Sequence, residues 1–125
     1  MRPLAYRKLA AWRQGMALAE ACYEVTKGLE AGGPRSAVNR MRRYSIGVPG
    51  KIAGATAGMR STGRLFMRAA FRRLDRLEAS VKDARLEGAI SNAVAEDLAL
   101  RIDELRGLMH TLAQRFTRRT GASGG

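Results

Sequence analysis

Arginine is the residue type in this sequence whose number and spacing could support a specific chemistry. Five arginines recur at every fourth position: Arg60, Arg64, Arg68, Arg72 and Arg76. On a helix, residues four apart lie on neighbouring turns, so these side chains would form a ridge that winds slowly around one helix. Each like-charged pair at this spacing costs roughly 0.2–0.5 kcal/mol. We therefore expect the ridge to bind an anionic partner.

The positive charge of the whole chain is concentrated around the same ridge. The 125 residues have a net charge of +12, and residues 31–74 hold ten of the bases and none of the acids. Residues 75–125 are neutral overall, with eight bases and eight acids. Such a block is typical of a protein that binds a polyanion, or of one that docks an acidic partner protein. The other interpretation is a solvated basic face, or one paired with acids of the first and last helices.

The basic block predicts a nucleic-acid-binding surface, for RNA or DNA, on two neighbouring helices. We expect it to comprise Arg40, Arg42, Arg43, Lys51, Arg60, Arg64, Arg68, Arg72 and Arg73. Few aromatic residues accompany these bases, and Tyr44 and Phe71 are the nearest ones that the helical pattern leaves free to be exposed. Base stacking is therefore expected to be minor, and contact with the phosphate backbone, with little sequence preference, to dominate.

The sequence offers little for enzyme or metal chemistry. His110 is the single histidine and Cys22 the single cysteine, too few for a metal site of the usual spacing. Cys22 lies on an apolar stripe, which predicts a buried side chain rather than a nucleophile. Carboxylate pairs such as Glu96-Asp97 lie off the apolar stripe, whereas an acid-base pair would need partial burial. We therefore predict a protein that is not an enzyme and uses no metal or cofactor.

Four helices are needed to position these residues. Apolar side chains step by three and four through segments at about 4–29, 36–57, 61–88 and 91–119. Ser36 and Ser91 are plausible N-caps, Ser61 or Thr62 would begin the third helix, and Gly88 would end it. No segment alternates with the period of a strand. The pattern predicts an all-α, antiparallel up-down-up-down four-helix bundle over residues 1–119, followed by a flexible tail at 120–125.

The stretch RMRRYSIGVPGKIAG, residues 40–54, combines bases, a proline and three glycines with an unbroken apolar period. Pro49 is therefore predicted to kink a continuous helix rather than to end it. Gly47, Gly50 and Gly54 step by three and four and share one helix face. That face favours either a groove for a neighbouring helix or a notch where a phosphate reaches backbone groups.

Short motifs along most of the chain together resemble a known family. In chain order they are Leu9-x-x-Trp12, Tyr23-x-x-Thr26-Lys27, Arg42-Arg43, the run 47–55, Leu74-x-x-Leu77-Glu78 and Gly88-x-Ile90-Ser91. They are similar to the four-helix-bundle proteins encoded in intervening sequences of bacterial 23S ribosomal RNA. The run 47–55 corresponds to the family's Ser-Ile-Pro-x-Asn-Ile-Ala-Glu-Gly signature. Among its departures from that signature, Lys51 and Gly54 stand where the family has Asn and Glu.

The resemblance implies a homo-oligomeric ring, typically a homopentamer. A related branch comprises the accessory variability proteins of diversity-generating retroelements, which are basic pentamers that bind nucleic acid and a reverse transcriptase. Gly54 removes the acid of the signature and Lys51 adds a base, and both changes favour that branch for this chain. The resemblance thus implies nucleic acid, further copies of the chain and a reverse transcriptase as partners. The alternative is a protein-interaction scaffold whose basic face docks an acidic partner protein.

The remaining apolar residues and the single cysteine bear on assembly and location. Met59, Met67 and Phe71 lie beside the apolar stripes, which predicts more apolar surface than one small bundle can bury. The lone Cys22 favours a reducing, cytoplasmic location. No uncharged run exceeds eight residues, whereas a membrane span needs about 20, so we expect no membrane insertion.

Overall fold

The structure, a computed structural model, is all-helical over the residues that it describes. These are Tyr6 and residues 9–29, 32–33 and 35–124, with side chains as far as residue 117. The helices are α1 (Ala10–Thr26), α2 (Ala37–Ala57), α3 (Arg60–Leu86) and α4 (Asn92–Gly124). The all-α prediction is confirmed, and four helices in this order are consistent with a four-helix bundle. None of the described helices is long and apolar enough to cross a lipid bilayer.

Two of the predicted helix starts follow directly from local capping chemistry. The Ser36 hydroxyl accepts a hydrogen bond from the backbone N–H of Asn39 at 3.2 Å, and Ser91 accepts one from Val94 at 3.1 Å. Each cap satisfies a backbone donor that the helix itself cannot pair. The predictions for the starts of α2 and α4 are confirmed.

The start of α3 differs from the prediction. The helix begins at Arg60, ahead of the expected Ser61 or Thr62, and its N-cap residue Met59 makes no side-chain hydrogen bond. Instead the Met59 carbonyl accepts the backbone N–H of Gly63 at 2.8 Å, which is enough to begin the first turn. At the other end Gly88 has a φ of 78°, the left-handed conformation that ends a helix.

The outer ends of the bundle lie partly outside the described residues. The first helix was expected from residue 4, but residues 4, 5, 7 and 8 are not described, and α1 begins at Ala10. Helix α4 continues to Gly124, past the predicted boundary at residue 119. The flexibility of the tail at 120–125 stays a prediction.

One apolar core connects the four helices. Helix α1 packs on α2 and α4, and α3 packs on the same two helices. Residues of every helix are completely buried, and the largest of them are Leu18, Met41, Ile52, Leu74, Leu77, Leu98, Ile102, Leu105 and Met109. All of them except Leu18 lie on the stripes that the three-and-four spacing predicts, so the helical period identified most of the core. Leu65, on the predicted stripe of α3, is 62% exposed. Met67, expected at the surface, is only 3% exposed and belongs to this core.

Cys22 is a core side chain, as its place on the apolar stripe predicted. It is a free cysteine with no exposed surface. Burial raises the pKa of its thiol to about 11, against weaker lowering effects from Ser45 and Arg101. The reactive form of cysteine is the thiolate, which is almost absent at neutral pH when the pKa is this high. Cys22 therefore contributes packing to the fold and is a poor nucleophile.

Pro49 lies inside an unbroken helix, so the predicted continuity of α2 is confirmed. Its ring is buried where α1 crosses α2. A methyl group placed on Gly15 of α1 would lie 3.4 Å from Cβ of Pro49. The two helices are therefore in close contact here because α1 has a glycine opposite the proline.

Candidate nucleic-acid interface

The glycine face of α2 seats two side chains of α3. A Cβ on Gly47 would lie 2.5 Å from Cδ of Arg73, and one on Gly54 would lie 2.7 Å from Cε1 of Phe66. Gly50, between them, faces open space. Two of the three glycines thus form a packing groove, which supports the groove interpretation. One of the two side chains that the groove holds is a cation.

A cleft opens between α2 and α3 beside this groove. It has a volume of about 240 Å³ and is lined by Tyr44, Lys51, Ala69, Arg72, Arg73 and Arg76. We call it the basic cleft, because four of its six lining residues are cationic. Three of the four, Lys51, Arg72 and Arg73, belong to the nine predicted site residues. Arg76 belongs to the predicted ridge but was left out of the predicted site.

Tyr44 stands at the edge of the basic cleft between two guanidinium groups. Cζ of Arg43 lies 5.0 Å from the centre of its ring, and Cζ of Arg76 lies 5.9 Å away. Hydrogen bonding to Arg43, and then to Arg76, lowers the pKa of the phenol. Tyr44 therefore connects an arginine of α2 to one of α3. Guanidinium groups already lie over its ring, so the ring is a poor platform for a nucleic-acid base.

Lys51 is held at the cleft by an aromatic ring. Its Nζ lies 5.5 Å from the centre of the Phe66 ring, within the range of a cation–π contact. Phe66 in turn packs over Gly54. Two of the positions that depart from the resembled signature, Lys51 and Gly54, thus act on the same feature: Lys51 adds the charge, and Gly54 makes room for the ring beneath it.

The cations of the basic cleft have no ion-pair partner in the part of the chain that the structure describes. Several acidic groups of the chain pair with other bases: Lys27–Glu24, Arg40–Asp83, Arg101–Asp97, and Arg106 with Asp75, Glu78 and Asp103. Within the described residues, no carboxylate forms an ion pair with Lys51, Arg72, Arg73 or Arg76. The alternative of salt bridges to acids of the first and last helices therefore does not apply to these four side chains.

Three other predicted site residues bind their own chain away from the cleft. Arg42 donates from Nε to the hydroxyl of Thr26 at 3.0 Å, and also to the Thr26 carbonyl at the end of α1. Arg60 donates to the carbonyl of Arg115 in α4. Arg40 donates to the Arg35 carbonyl at 3.0 Å and pairs with Asp83 at 3.0 Å. These guanidinium groups connect neighbouring helices, and that of Arg42 occupies a carbonyl that the C-terminal end of α1 leaves unpaired.

The last two predicted residues, Arg64 and Arg68, lie on the side of α3 that faces α4. They border a small notch of about 140 Å³ between α3 and α4, lined by Arg64, Met67, Arg68, Phe71, Ala113, Phe116 and Thr117. We call this the apolar notch. The separation follows from helix geometry, since each step of four residues turns about 40° beyond a full turn. Over sixteen residues the ridge therefore winds through about 160°, from the side of α4 to the side of α2.

Sequence reasoning missed Tyr44 and Gly47 as parts of the site. Tyr44 was noted only as an aromatic near the basic run, although its neighbour Arg43 and the ridge member Arg76 both contact it. The signal for Gly47 was the shared glycine face, but the sequence does not say which side chain of α3 that face receives. The site depends on this pairing of helices.

Comparison with protein families and with curated proteins assigns no role to these residues. No protein-family model matches the chain, and no curated protein matches it. The resemblance to the intervening-sequence proteins stays a prediction. Within the part of the chain that the structure describes, no three His, Cys, Asp or Glu side chains lie close enough together to hold a metal ion.

Proposed function

We propose that this protein is a non-enzymatic accessory protein that binds RNA or DNA through the basic cleft. The observation that carries the proposal is the set of four cations, Lys51, Arg72, Arg73 and Arg76, gathered around one cleft with no carboxylate partner among the described residues. Collecting like charges costs free energy in the unbound protein. A polyanion offsets that cost, because its phosphates pair with the cations and release condensed counterions.

The chemistry of the cleft favours phosphate contact over base recognition. Guanidinium groups bind phosphate oxygens through two parallel hydrogen bonds, and the ammonium group of Lys51 adds a point charge. Phosphate contacts fix position and carry no sequence information. We therefore propose binding with little sequence preference.

The test is direct binding of the unmodified protein to a duplex DNA and to a structured RNA. Both should bind at about 50 mM salt, and both affinities should fall steeply by about 200 mM as counterion release weakens. Fluorescence anisotropy with labelled nucleic acids of unrelated sequence measures this. A protein that binds neither at about 50 mM salt would contradict the proposal and favour the scaffold that docks an acidic protein.

The proposal extends to the arrangement of the helices as an antiparallel up-down-up-down bundle. Three contacts between α2 and α3 support it. They join Arg40 to Asp83, Gly47 to Arg73 and Gly54 to Phe66. Residue numbers rise along α2 while those of their partners fall along α3, as expected for neighbours that run in opposite directions.

We also propose that the bundle assembles into a homo-oligomeric ring, with five copies as the number that the resemblance implies. The side chains of Tyr23 and Ile46 support self-association, because each is 58% exposed on one of two helices that pack together. Static light scattering at micromolar concentration should give the mass of an oligomer, and Ile46→Lys should lower that mass. Leu65→Lys, an equally exposed position on α3, is the matched control. A monomeric unmodified protein would contradict the ring.

The remaining partner rests on the resemblance alone, and the location rests on the lone cysteine, Cys22. A reverse transcriptase is the protein partner proposed for this chain, and the cytoplasm is the proposed location. Both fit a basic accessory protein that brings a nucleic-acid template and an enzyme together.

A further inference from the structure

The apolar notch is a second feature of the ridge that phosphate contact alone does not use. Its floor includes Met67, 3% exposed, and Phe116, 8% exposed. Phe116 lies deep because α3 has Gly63 beneath it: a Cβ there would lie 2.4 Å from Cε1 of Phe116. Phe71 forms part of the wall and packs against the His110 ring at 4.6 Å between centres. The notch is thus an aromatic recess built into the junction of α3 and α4.

Cations border this recess on the side of the ridge. Arg64 and Arg68 line the notch together with its apolar residues. A recess with an aromatic floor and a cationic rim is complementary to a flat ring attached to a phosphate. Its volume of about 140 Å³ is well below the roughly 300–1,000 Å³ of a pocket for a drug-sized ligand, so it has room for one ring system.

The notch and the basic cleft lie on neighbouring faces of α3, because Arg68 lines the notch while Arg72, one turn along and about 40° further round, lines the cleft. A ligand that occupies both must place a flat ring in the notch while its phosphates stay at the arginines. The bases of a duplex are stacked and paired, so none can enter the notch without being extruded. The unpaired bases of a single strand are free to leave the backbone path.

We propose that single-stranded nucleic acid crosses the outer face of α3 from the basic cleft to the apolar notch, where one unpaired base packs against Phe71 and Phe116. This rests on the proposed function and names its substrate class. The ridge arginines hold the phosphates, and the notch supplies the aromatic contact that Tyr44 does not provide. One such base adds affinity without requiring a particular sequence, because every base has a flat apolar face.

The test fills the notch without removing any charge. Ala113→Leu places a larger side chain on the notch wall contributed by α4. Ala99→Leu is the matched control, because Ala99 lines a different groove of the same two helices, one that no ridge arginine lines. Three ligands of about 16 nucleotides are compared by anisotropy: a single strand, the same length of abasic sugar-phosphate chain, and a duplex. Circular dichroism confirms that each variant is folded. Thr117→Leu, on the rim of the notch, replaces Ala113→Leu if that variant does not fold.

The expected result is selective. Ala113→Leu should weaken single-strand binding by about fivefold or more, the effect of losing one stacked base, and leave the abasic and duplex affinities within about twofold. Ala99→Leu should change none of the three. Equal affinity of the unmodified protein for the single strand and the abasic chain, or an equal loss for all three ligands, would overturn the notch proposal and leave the proposed function standing. Absence of any binding at about 50 mM salt would overturn both.

Discussion

Replacing Arg72, Arg73 and Arg76 together by glutamine is expected to remove most of the affinity of the protein for nucleic acid at low salt. Each phosphate contact to a single strand contributes about −0.7 to the slope of log affinity against log salt. Losing three contacts should therefore flatten that slope by about two units and weaken binding at about 50 mM salt by on the order of a hundredfold or more. The loss should shrink as salt rises, because the lost term is electrostatic. Anisotropy titrations at several salt concentrations measure both quantities.

A matched triple variant separates the cleft from the overall charge of the protein. Arg35, Lys82 and Arg85 are exposed bases away from the basic cleft, and replacing them by glutamine removes the same net charge. If the cleft holds the phosphates, this control should change the slope by much less than the cleft variant does. Equal losses in the two variants would instead mean that long-range attraction by the whole protein accounts for binding, and the cleft would lose its special role.

The cleft variant should lose nucleic-acid binding without losing its fold. Arg72 and Arg76 are four residues apart on α3, and relieving such a like-charged pair stabilises a helix by roughly 0.2–0.5 kcal/mol. Arg72 and Arg76 are exposed, and Arg73 lies in the groove over Gly47 and outside the buried core, so glutamine at the three positions leaves the core intact. The thermal midpoint of the cleft variant should therefore stay level or rise slightly. A clear fall would show that these arginines stabilise the fold and would weaken the binding interpretation.

The helices could be predicted from the sequence because their signals are local. Ser36 and Ser91 cap helices through residues three positions later, and the apolar period is a property of one segment at a time. The predicted start of α3 was too late, because no polar side chain caps this helix. The Met59 carbonyl accepts the first hydrogen bond of the helix instead.

The site could be predicted only in part because it depends on which helices meet. Arg42 and Arg72 look alike in the sequence, yet Arg42 donates to the end of α1 while Arg72 lines the cleft. The winding of the ridge follows from the helical repeat, but the neighbour that each arginine faces is decided by packing. Tyr44 becomes part of the site only because Arg76 of α3 lies over its ring.

Gly47→Ala is expected to weaken nucleic-acid binding although the glycine itself carries no binding group. The new methyl group would lie 2.5 Å from Cδ and 3.0 Å from Nε of Arg73, closer than non-bonded atoms approach. The arginine stem must therefore leave the groove and carry its guanidinium away from the cleft. Losing this one phosphate contact should lower affinity by about tenfold at about 50 mM salt.

Gly50→Ala is the matched control for the backbone effect of the substitution. It lies in the same helix, three residues along the same glycine face, but a Cβ there meets nothing within 4 Å. It should leave binding unchanged and stabilise the protein by about 0.5–1 kcal/mol, because alanine is the better helix former. Thermal unfolding and anisotropy on the two variants separate helix propensity from the seating of Arg73.

A double-mutant cycle decides whether Gly47 acts through Arg73. If the glycine matters only because it seats that side chain, Gly47→Ala should cost affinity in the unmodified protein and almost nothing in a protein that already carries Arg73→Ala. Additive losses would mean that Gly47 acts through the backbone of α2 or through another cleft residue. Non-additive losses would place a glycine of α2 and an arginine of α3 in one binding unit. Glycine at position 47 would then serve two purposes: it lets α3 pack closely on α2, and it holds Arg73 at the basic cleft.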